Sequence, residues 1–426
     1  MSGRMTIGGA LGLILACSVG VFFLYRLESE PLVPPFHRGM DLRSIFELNE
    51  NPQSQAVLKL VEKMIIRLDA KPDNLEDLAK SFSNSLAWGK KPKVILVYTS
   101  FFGDLPWLFL KTSDILNSFV DKAVSPLFHC RLTYNKSELT ISDAVVFHGR
   151  DLPSVKHMKE LIKQKPPSQR WVFFILENPH HTWKPLDKLN GMFNWTMTYR
   201  RDSDIFAPYG MYYEDPSNKR TSNRNYAMGK DKLIVWPVSN CGYPREKLAL
   251  KLSKLIPVHV FGGCRSRFPK HSEGTSCRRF TKECDNLMRR YKFRLSFENR
   301  NCKDYITEKY WGPLEQDIVP IVLGGSNYDS NVAVPGSYIN VMDFPSLKAL
   351  ADYLNYLDKN DTAYNEYFAW KKKYSARHFE SSYTCLLCAA LNLQIQPKVY
   401  NDLEKFWGID ENCKIHDQKM FNLTNQ

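Results

Sequence analysis

The sequence has no run of basic residues longer than Lys371-Lys372-Lys373, no low-complexity tract, and no repeat beyond two similar α/β halves. The first absence matters because the formal net charge over 426 residues is +13. A nucleic-acid binder gathers its cations on one face or helix, whereas here they are spread along the chain. No nucleic acid is therefore expected as a partner, and attraction to a small anionic substrate fits the same charge. With 43% hydrophobic and 24% charged residues, the composition is that of an ordinary globular protein.

One stretch lacks charge altogether. From Met5 to Tyr25 there is no Asp, Glu, Lys or Arg, and a span of about 20 residues crosses a bilayer. Arg4 precedes it, and Arg26, Glu28 and Glu30 follow, which favours a cytoplasmic N-terminus. A cleaved signal peptide is the alternative, given Gly8, Gly9, Ala10 and Gly12, but the apolar run is long for one. The expected order is a cytoplasmic tail (1–4), a transmembrane signal anchor (5–25) and a stem (26–90). In the stem, Pro31 to Pro35 is an extended spacer. Gln55 to Leu68 has helical apolar spacing, suited to self-association or, by default, to packing on the body. A homodimer through the stem is one partner this permits.

Cys17 lies in the anchor, and nine cysteines follow it: Cys130, Cys241, Cys264, Cys277, Cys284, Cys302, Cys385, Cys388 and Cys413. A type II anchor places those nine in the oxidising secretory lumen, where disulfides are the rule. Sequons at Asn135, Asn194, Asn360 and Asn422 agree with a glycosylated lumenal domain.

Beyond the stem, short apolar runs alternate with helical ones. Lys93–Tyr98, Ser142–His148, Trp171–Leu176 and Phe193–Tyr199 are expected strands, with a helix over Pro153–Gln164. Buried strands alternating with helices argue for a parallel sheet covered on both faces. The third strand delivers Glu177-Asn178-Pro179-His180-His181 to the sheet rim, and a carboxylate there suits a general base. Its plainer reading is a solvated Glu beside an Asn-Pro turn. Asp202-Ser203-Asp204 has the form of a metal-binding D-x-D, but Arg200 and Arg201 precede it as natural partners, and no metal is assigned there.

The polar stretch 215–231 is the expected linker to a second α/β pattern. Leu233–Val238 is a strand, Pro244–Leu255 a helix and Val258–Phe261 a strand. Arg245, in a first helical turn beyond a strand end, is unfavourable for the helix dipole and hints at a bound anion. Tyr291–Phe297 is a strand that stops at Glu298-Asn299, and a helix is expected to start near Tyr305-Ile306-Thr307-Glu308-Lys309. A strand end followed by a helix N-terminus is where α/β sheets hold nucleotides. Ile318–Leu323 is a further strand, and Ser346–Leu357 and Tyr364–Tyr374 are expected helices.

The motifs TYRRDSDIFAPYG (Thr198 to Gly210), SNCGYPREK (Ser239 to Lys247) and YKFRLSFENRNCKDYITEK (Tyr291 to Lys309), followed by VPIVLGG, resemble the α1,3/4-fucosyltransferases of glycosyltransferase family 10. The likeness runs from about residue 93 to 390. It implies a GT-B architecture, two Rossmann-like domains facing a cleft. The N-terminal domain (91–220) would bind the acceptor and the C-terminal domain (221–380) GDP-fucose, followed by a C-terminal extension with CxxC (381–426).

By that resemblance, Glu177 looks like the catalytic base on the acceptor GlcNAc 3-hydroxyl. Arg245 and Lys309 look like the diphosphate cations, Glu308 holds the ribose hydroxyls, and Asn299 and Tyr305 line the donor pocket. The implied reaction moves L-fucose from GDP-β-L-fucose to GlcNAc of N-glycans with inversion, on the lumenal side of the Golgi membrane. Core GlcNAc is favoured, because SNCG and Gly262-Gly263-Cys264 look closer to the members acting there. Antennal LacNAc or LacdiNAc, another nucleotide-sugar donor, and a non-catalytic lumenal sugar-binding protein are the alternatives. No metal is strictly required; manganese or magnesium is expected at most to stimulate. The resemblance bridges Cys385 or Cys388 back to the N-terminal domain, with Cys130 as a partner. Proximity in sequence suggests Cys264 with Cys277 and Cys284 with Cys302. The chain departs from the family signature at Arg300, where Ser usually follows FEN.

Overall fold

The computed structural model describes residues 91–107, 130–214, 224–268, 277, 281–330, 332–378, 383–392 and 397–414. The anchor, the stem and Asn422 lie outside the described residues, as does the side chain of Cys385. Among the described residues no helix is long and apolar enough to cross a membrane. The chain divides into two compact units, Met1–Ala207 with Glu380–Gly408, and Pro208–Phe379 with Ile409–Gln426.

The first unit is built on a six-stranded sheet of order β2-β1-β3-β4-β5-β6. Its strands are β1 (Lys93–Val97), β2 (Cys130–Thr133), β3 (Ala144–His148), β4 (Arg170–Ile175), β5 (Trp195–Thr198) and β6 (Ile205–Phe206). All neighbours are parallel. Parallel strands covered on both faces need near-continuous apolar runs, which Val94–Val97, Ala144–Phe147 and Trp171–Ile175 supply, all buried. Helix α1 (Val155–Leu161) starts at Ser154, whose hydroxyl accepts from the His157 N–H.

The second unit has a five-stranded parallel sheet of order β12-β11-β10-β8-β9 and a separate antiparallel pair, β7 with β13. The strands are β7 (Gly210–Glu214), β8 (Lys232–Pro237), β9 (Val258–Phe261), β10 (Tyr291–Phe297), β11 (Val319–Leu323), β12 (Ile339–Asn340) and β13 (Tyr374–His378). The helices are α2 (Arg245–Ser253), α3 (Lys282–Arg289), α4 (Glu308–Glu315), α5 (Leu347–Lys359) and α6 (Asp361–Glu366). In α5, Leu350, Leu354 and Leu357 recur at helical spacing and join the core containing Phe293, Leu295 and Phe297 of β10. Gly262 leaves β9 at φ +94, and a Cβ there would lie 2.6 Å from the Val238 carbonyl oxygen; only glycine lets the two backbones approach.

After the second sheet the chain returns to the first unit as α7 (Tyr383–Asn392) and α8 (Leu403–Trp407). Cys130 of β2 bridges Cys388 of α7. Expected parallel α/β sheets are what both units contain. Three local expectations change. The helix expected from Tyr305 begins at Glu308, because Thr307 caps it and the Tyr305 N–H is turned back to the Cys302 carbonyl. The helix expected over Tyr364–Tyr374 breaks into α6 and a 3-10 turn (Ala369–Lys372) before β13. The short strands β2, β6 and β12 carry too few residues to show a pattern.

Candidate active site

Parallel strands bring their carboxyl ends to one rim of a sheet, and in each unit the chemistry-bearing residues gather there. In the first unit Glu177 follows β4 by two residues, with its side chain 27% exposed. Asn178 caps the turn Pro179–His181, its side-chain oxygen accepting from the His180 N–H at 3.2 Å. The turn carries His181 back over Glu177, with Nε2 3.8 Å from the carboxylate. The other ring nitrogen, Nδ1, faces Arg150 Nη1 at 3.4 Å. A guanidinium only donates, so Nδ1 accepts and the ring proton sits on Nε2, toward Glu177.

The Asp202-Ser203-Asp204 loop is a structural knot. Arg200 pairs with Asp202 through Nε at 2.8 Å. Asp204, 3% exposed, accepts from Thr196 N at 2.7 Å, Thr196 Oγ1 at 3.1 Å and Tyr400 O–H at 2.8 Å, and pairs with Lys398. Those bonds fasten the returning chain to β5.

Asn194 corrects an expectation. Its side-chain oxygen accepts from Trp171 N at 2.9 Å and Lys165 Nζ at 2.6 Å, and its Nδ2 donates to the Lys398 carbonyl at 2.7 Å. The residue is 5% exposed. The nitrogen to which a glycan would be attached is buried and bonded inside the fold, so the folded chain leaves no room for a sugar at this sequon. Asn135 is exposed and uses only its oxygen, to cap a 3-10 helix. Asn360 caps α6 with its oxygen while Nδ2 reaches Tyr356 O–H at 3.1 Å.

In the second unit, β10 ends on Glu298, which is 2% exposed. Its carboxylate accepts from Thr307 N and Oγ1, both at 2.9 Å, and lies 3.1 Å from Lys309 Nζ. Lys309 also reaches Thr307 Oγ1 at 2.8 Å and Glu308 at 3.2 Å. Burial opposes the ammonium charge, but Glu298 and Glu308 outweigh it and hold Lys309 above its ordinary value. Burial raises Glu298, with Lys309 opposing.

Arg245 opens α2 and is 3% exposed. Nη1 donates to the Phe297 carbonyl at 2.7 Å and Nη2 to the Asn240 carbonyl at 3.1 Å, fixing the guanidinium between the ends of β10 and β8. Nε is buried with no partner. Among the described residues its bonds are to carbonyls, which orient a guanidinium without balancing its charge. Burial lowers its pKa, with Glu298 opposing, yet an arginine stays charged. Arg300 lies on the same tyrosine as Arg245, their guanidinium carbons 5.0 and 5.6 Å from the Tyr243 ring centroid, and the Arg300 Nε is likewise buried without a partner. Asn299 is 8% and Tyr305 2% exposed, the latter meeting Tyr209 edge-on at 6.1 Å.

The loop from β10 to α4 is pinned by a Cys302–Cys413 disulfide and by Lys303 N donating to the Asn412 carbonyl at 2.7 Å. The other bridges among the described residues are Cys241–Cys264 and Cys277–Cys284. These replace the pairings Cys264–Cys277 and Cys284–Cys302 suggested by proximity. Parallel topology lays the ends of β8 and β9 side by side, which distance along the chain does not reveal.

Arg245, Asn299, Tyr305, Glu308 and Lys309 thus occupy the carboxyl end of the second sheet, and Glu177 that of the first. Sequence reasoning passed over Glu298 and Thr307. A signal for them existed, since a lysine in a helix's first turn opposes the dipole and calls for a carboxylate at the adjoining strand end.

The family model for "Fucosyltransferase, N-terminal" matches residues 90–210, and that for "Glycosyltransferase family 10 (fucosyltransferase) C-term" matches 227–407. The glycoprotein 3-alpha-L-fucosyltransferase A of Drosophila melanogaster is 35% identical over 369 residues, 84% of this chain and 67% of the relative. Alpha-(1,3)-fucosyltransferase C of the same species is 32% identical over 354 residues, 76% and 80% of the two chains. A crystal structure of an α1,3-fucosyltransferase with GDP-fucose aligns at TM-score 0.43 and 16% identity, over 75% of this chain and 95% of that one. The sequence matches, not this alignment, carry the assignment. The chain belongs to glycosyltransferase family 10 and is a fucosyltransferase.

Proposed function

We propose that the enzyme transfers L-fucose from GDP-β-L-fucose to the 3-hydroxyl of GlcNAc in N-glycans, forming an α1,3 linkage. Glu177 takes the proton of the acceptor hydroxyl, whose oxygen then attacks fucose C1. The bond from C1 to the β-phosphate oxygen breaks, its electron pair leaves with GDP, and C1 inverts from β to α. Arg245 and Lys309 receive the charge that builds on the diphosphate, the task a metal performs elsewhere. Glu308 holds the ribose hydroxyls, and Asn299 and Tyr305 line the donor site. No step needs a metal, and manganese or magnesium acts at most by pairing with GDP.

The observation that carries this reading is the buried guanidinium of Arg245, oriented by two carbonyls and balanced by neither. Such a charge is expensive unless an anion completes it. Relatives named as 3-alpha-fucosyltransferases, one of them a glycoprotein fucosyltransferase, support the linkage and the acceptor class. The core-like signatures SNCG and Gly-Gly-Cys, joined by the Cys241–Cys264 bridge, favour core GlcNAc over antennal LacNAc or LacdiNAc. A GT-B architecture and a type II placement in the Golgi membrane complete the proposal.

Glu177→Gln keeps the shape of the side chain and removes its basicity. Turnover should fall by about 10²–10⁴-fold while GDP affinity by calorimetry stays within about twofold. Near-normal turnover would remove Glu177 as base. Mass spectrometry of products from defined core and antennal N-glycans assigns the acceptor, and product on antennae alone would overturn the core reading.

A further inference from the structure

The loop that joins β10 to α4, residues 298–307, is buried, whereas connecting segments ordinarily run over the surface. Its polar side chains Asn299, Asn301, Asp304 and Thr307 all lie inside the fold. Buried backbone needs partners, and the loop supplies some of its own. The Tyr305 N–H donates to the Cys302 carbonyl at 3.2 Å and the Ile306 N–H to the Asp304 carbonyl at 3.0 Å, around Asp304 at φ +58. The Glu298 carboxylate takes the Thr307 N–H and hydroxyl, which closes the loop at its neck.

The middle of the loop is held from elsewhere. Asn412 and Cys413 lie in the helical turn Asp410–Lys414, and both are buried. Cys413 bridges Cys302, 111 positions earlier, and the Asn412 carbonyl accepts from the Lys303 N–H at 2.7 Å. Two adjacent residues of the loop are thus tied to two adjacent residues of a distant segment. One tie is covalent and the other is a directional backbone hydrogen bond, so together they fix where the loop lies and how it is turned. A bridge that served stability alone could join any two elements. This one enters the loop between Asn299 and Tyr305, three residues to either side of Cys302.

We infer that Asn412 and Cys413 are positioning residues for nucleotide binding, setting the loop through Cys302 and Lys303 so that Asn299 and Tyr305 are aimed at the donor. The inference rests on the proposed reading that those two residues line the donor site. Strand β10 and the Thr307 cap fix where the loop starts and stops but leave the φ and ψ angles between free. Polar groups act on a ligand only when aimed, and a displacement of about 1 Å costs up to about 10²-fold.

The test uses the full chain in detergent, with GDP as probe and an asparagine-linked glycan ending in GlcNAc as acceptor. Cys302→Ser together with Cys413→Ser should raise the GDP Kd by calorimetry, and the GDP-fucose KM, about tenfold with the acceptor KM unchanged. A bridge that only stabilises would lower the melting temperature and leave the GDP Kd of the folded chain as it was. That result, or an equal rise in acceptor KM, would overturn the inference. Hydrogen exchange on the parent chain needs no variant to fold. Added GDP should slow exchange in residues 409–414 together with 298–307. Protection of 298–307 with none in 409–414 would overturn the inference while keeping the donor site. GDP bound by calorimetry with neither stretch protected would reject the donor site at this loop, and the inference with it.

Discussion

Glu298 and Lys309 illustrate how a single buried carboxylate conditions a donor site. Glu298, beneath Lys309, fixes its direction and keeps it charged, as the proposed diphosphate contact requires. Glu298→Gln leaves a buried ammonium with one exposed-side partner, and breaking such a pair costs about 3–5 kcal/mol. The expected outcome is a lower melting temperature together with a raised GDP-fucose KM. A change in stability alone would make Glu298 structural only. Arg300 belongs to the same scale. Arg300→Ser, which installs the residue usual in the family, should weaken GDP affinity several-fold with no change in acceptor KM, as calorimetry and initial rates would report. Equal GDP affinity would show that Arg300 only packs on Tyr243. At this scale the sequence was legible where residue type and position conflicted, as with a cation in a helix's first turn at Arg245 and Lys309. Glu298 was harder to see, because a Glu at a strand end looks solvated until its burial is known.

Among the elements, α4 and the 3-10 turn after α6 are joined by one buried ion pair. Lys371, 3% exposed, donates to the Leu314 carbonyl at 2.9 Å and pairs with Asp317, which Arg224 also reaches at 2.8 Å. Burial pushes the Asp317 pKa up, but Lys371 and Arg224 overcome it and hold the group below its ordinary value. A carboxyl with a depressed folded value stabilises above its unfolded value and loses that stabilisation as pH falls through the folded one. Thus Asp317→Asn should lower the melting temperature at pH 7, and the gap to the parent chain should narrow as pH falls below the ordinary carboxylate range. A constant gap across that range would reject the pairing as its source. The boundaries of this region were not legible in sequence. Tyr364 to Tyr374 has helical apolar spacing, yet the helix gives way to a 3-10 turn and β13 starts at Tyr374, because β7, about 160 residues earlier, offers an edge to pair with. Strands β8 and β10 were legible because each is long and apolar enough to carry its own pattern.

For the whole molecule, the disulfides do what local pattern cannot. Cys130 and Cys388 are separated by 258 residues and join strand β2 to helix α7. Opening that loop in the unfolded chain, with Cys130→Ser and Cys388→Ser together, should cost about 2–5 kcal/mol. A melting temperature equal to that of the parent chain would exclude the bridge in solution. The family resemblance anticipated this bridge; the others were beyond the sequence, since eight cysteines permit 105 pairings, and the correct ones follow from which strand ends are neighbours. The alternation of strands and helices, by contrast, announced two parallel sheets before any coordinate was known.

The locked amide of Asn194 sets modification and folding in competition. Where sequons are glycosylated during synthesis, a sugar attached to Asn194 would sit on the buried amide that donates to the Lys398 carbonyl, where the folded chain has no space for it. The returning segment could then no longer close on β5, so occupancy at this one sequon would record the chains that failed to mature. A glycopeptide map of mature protein beside protein held back in the endoplasmic reticulum would display that record directly.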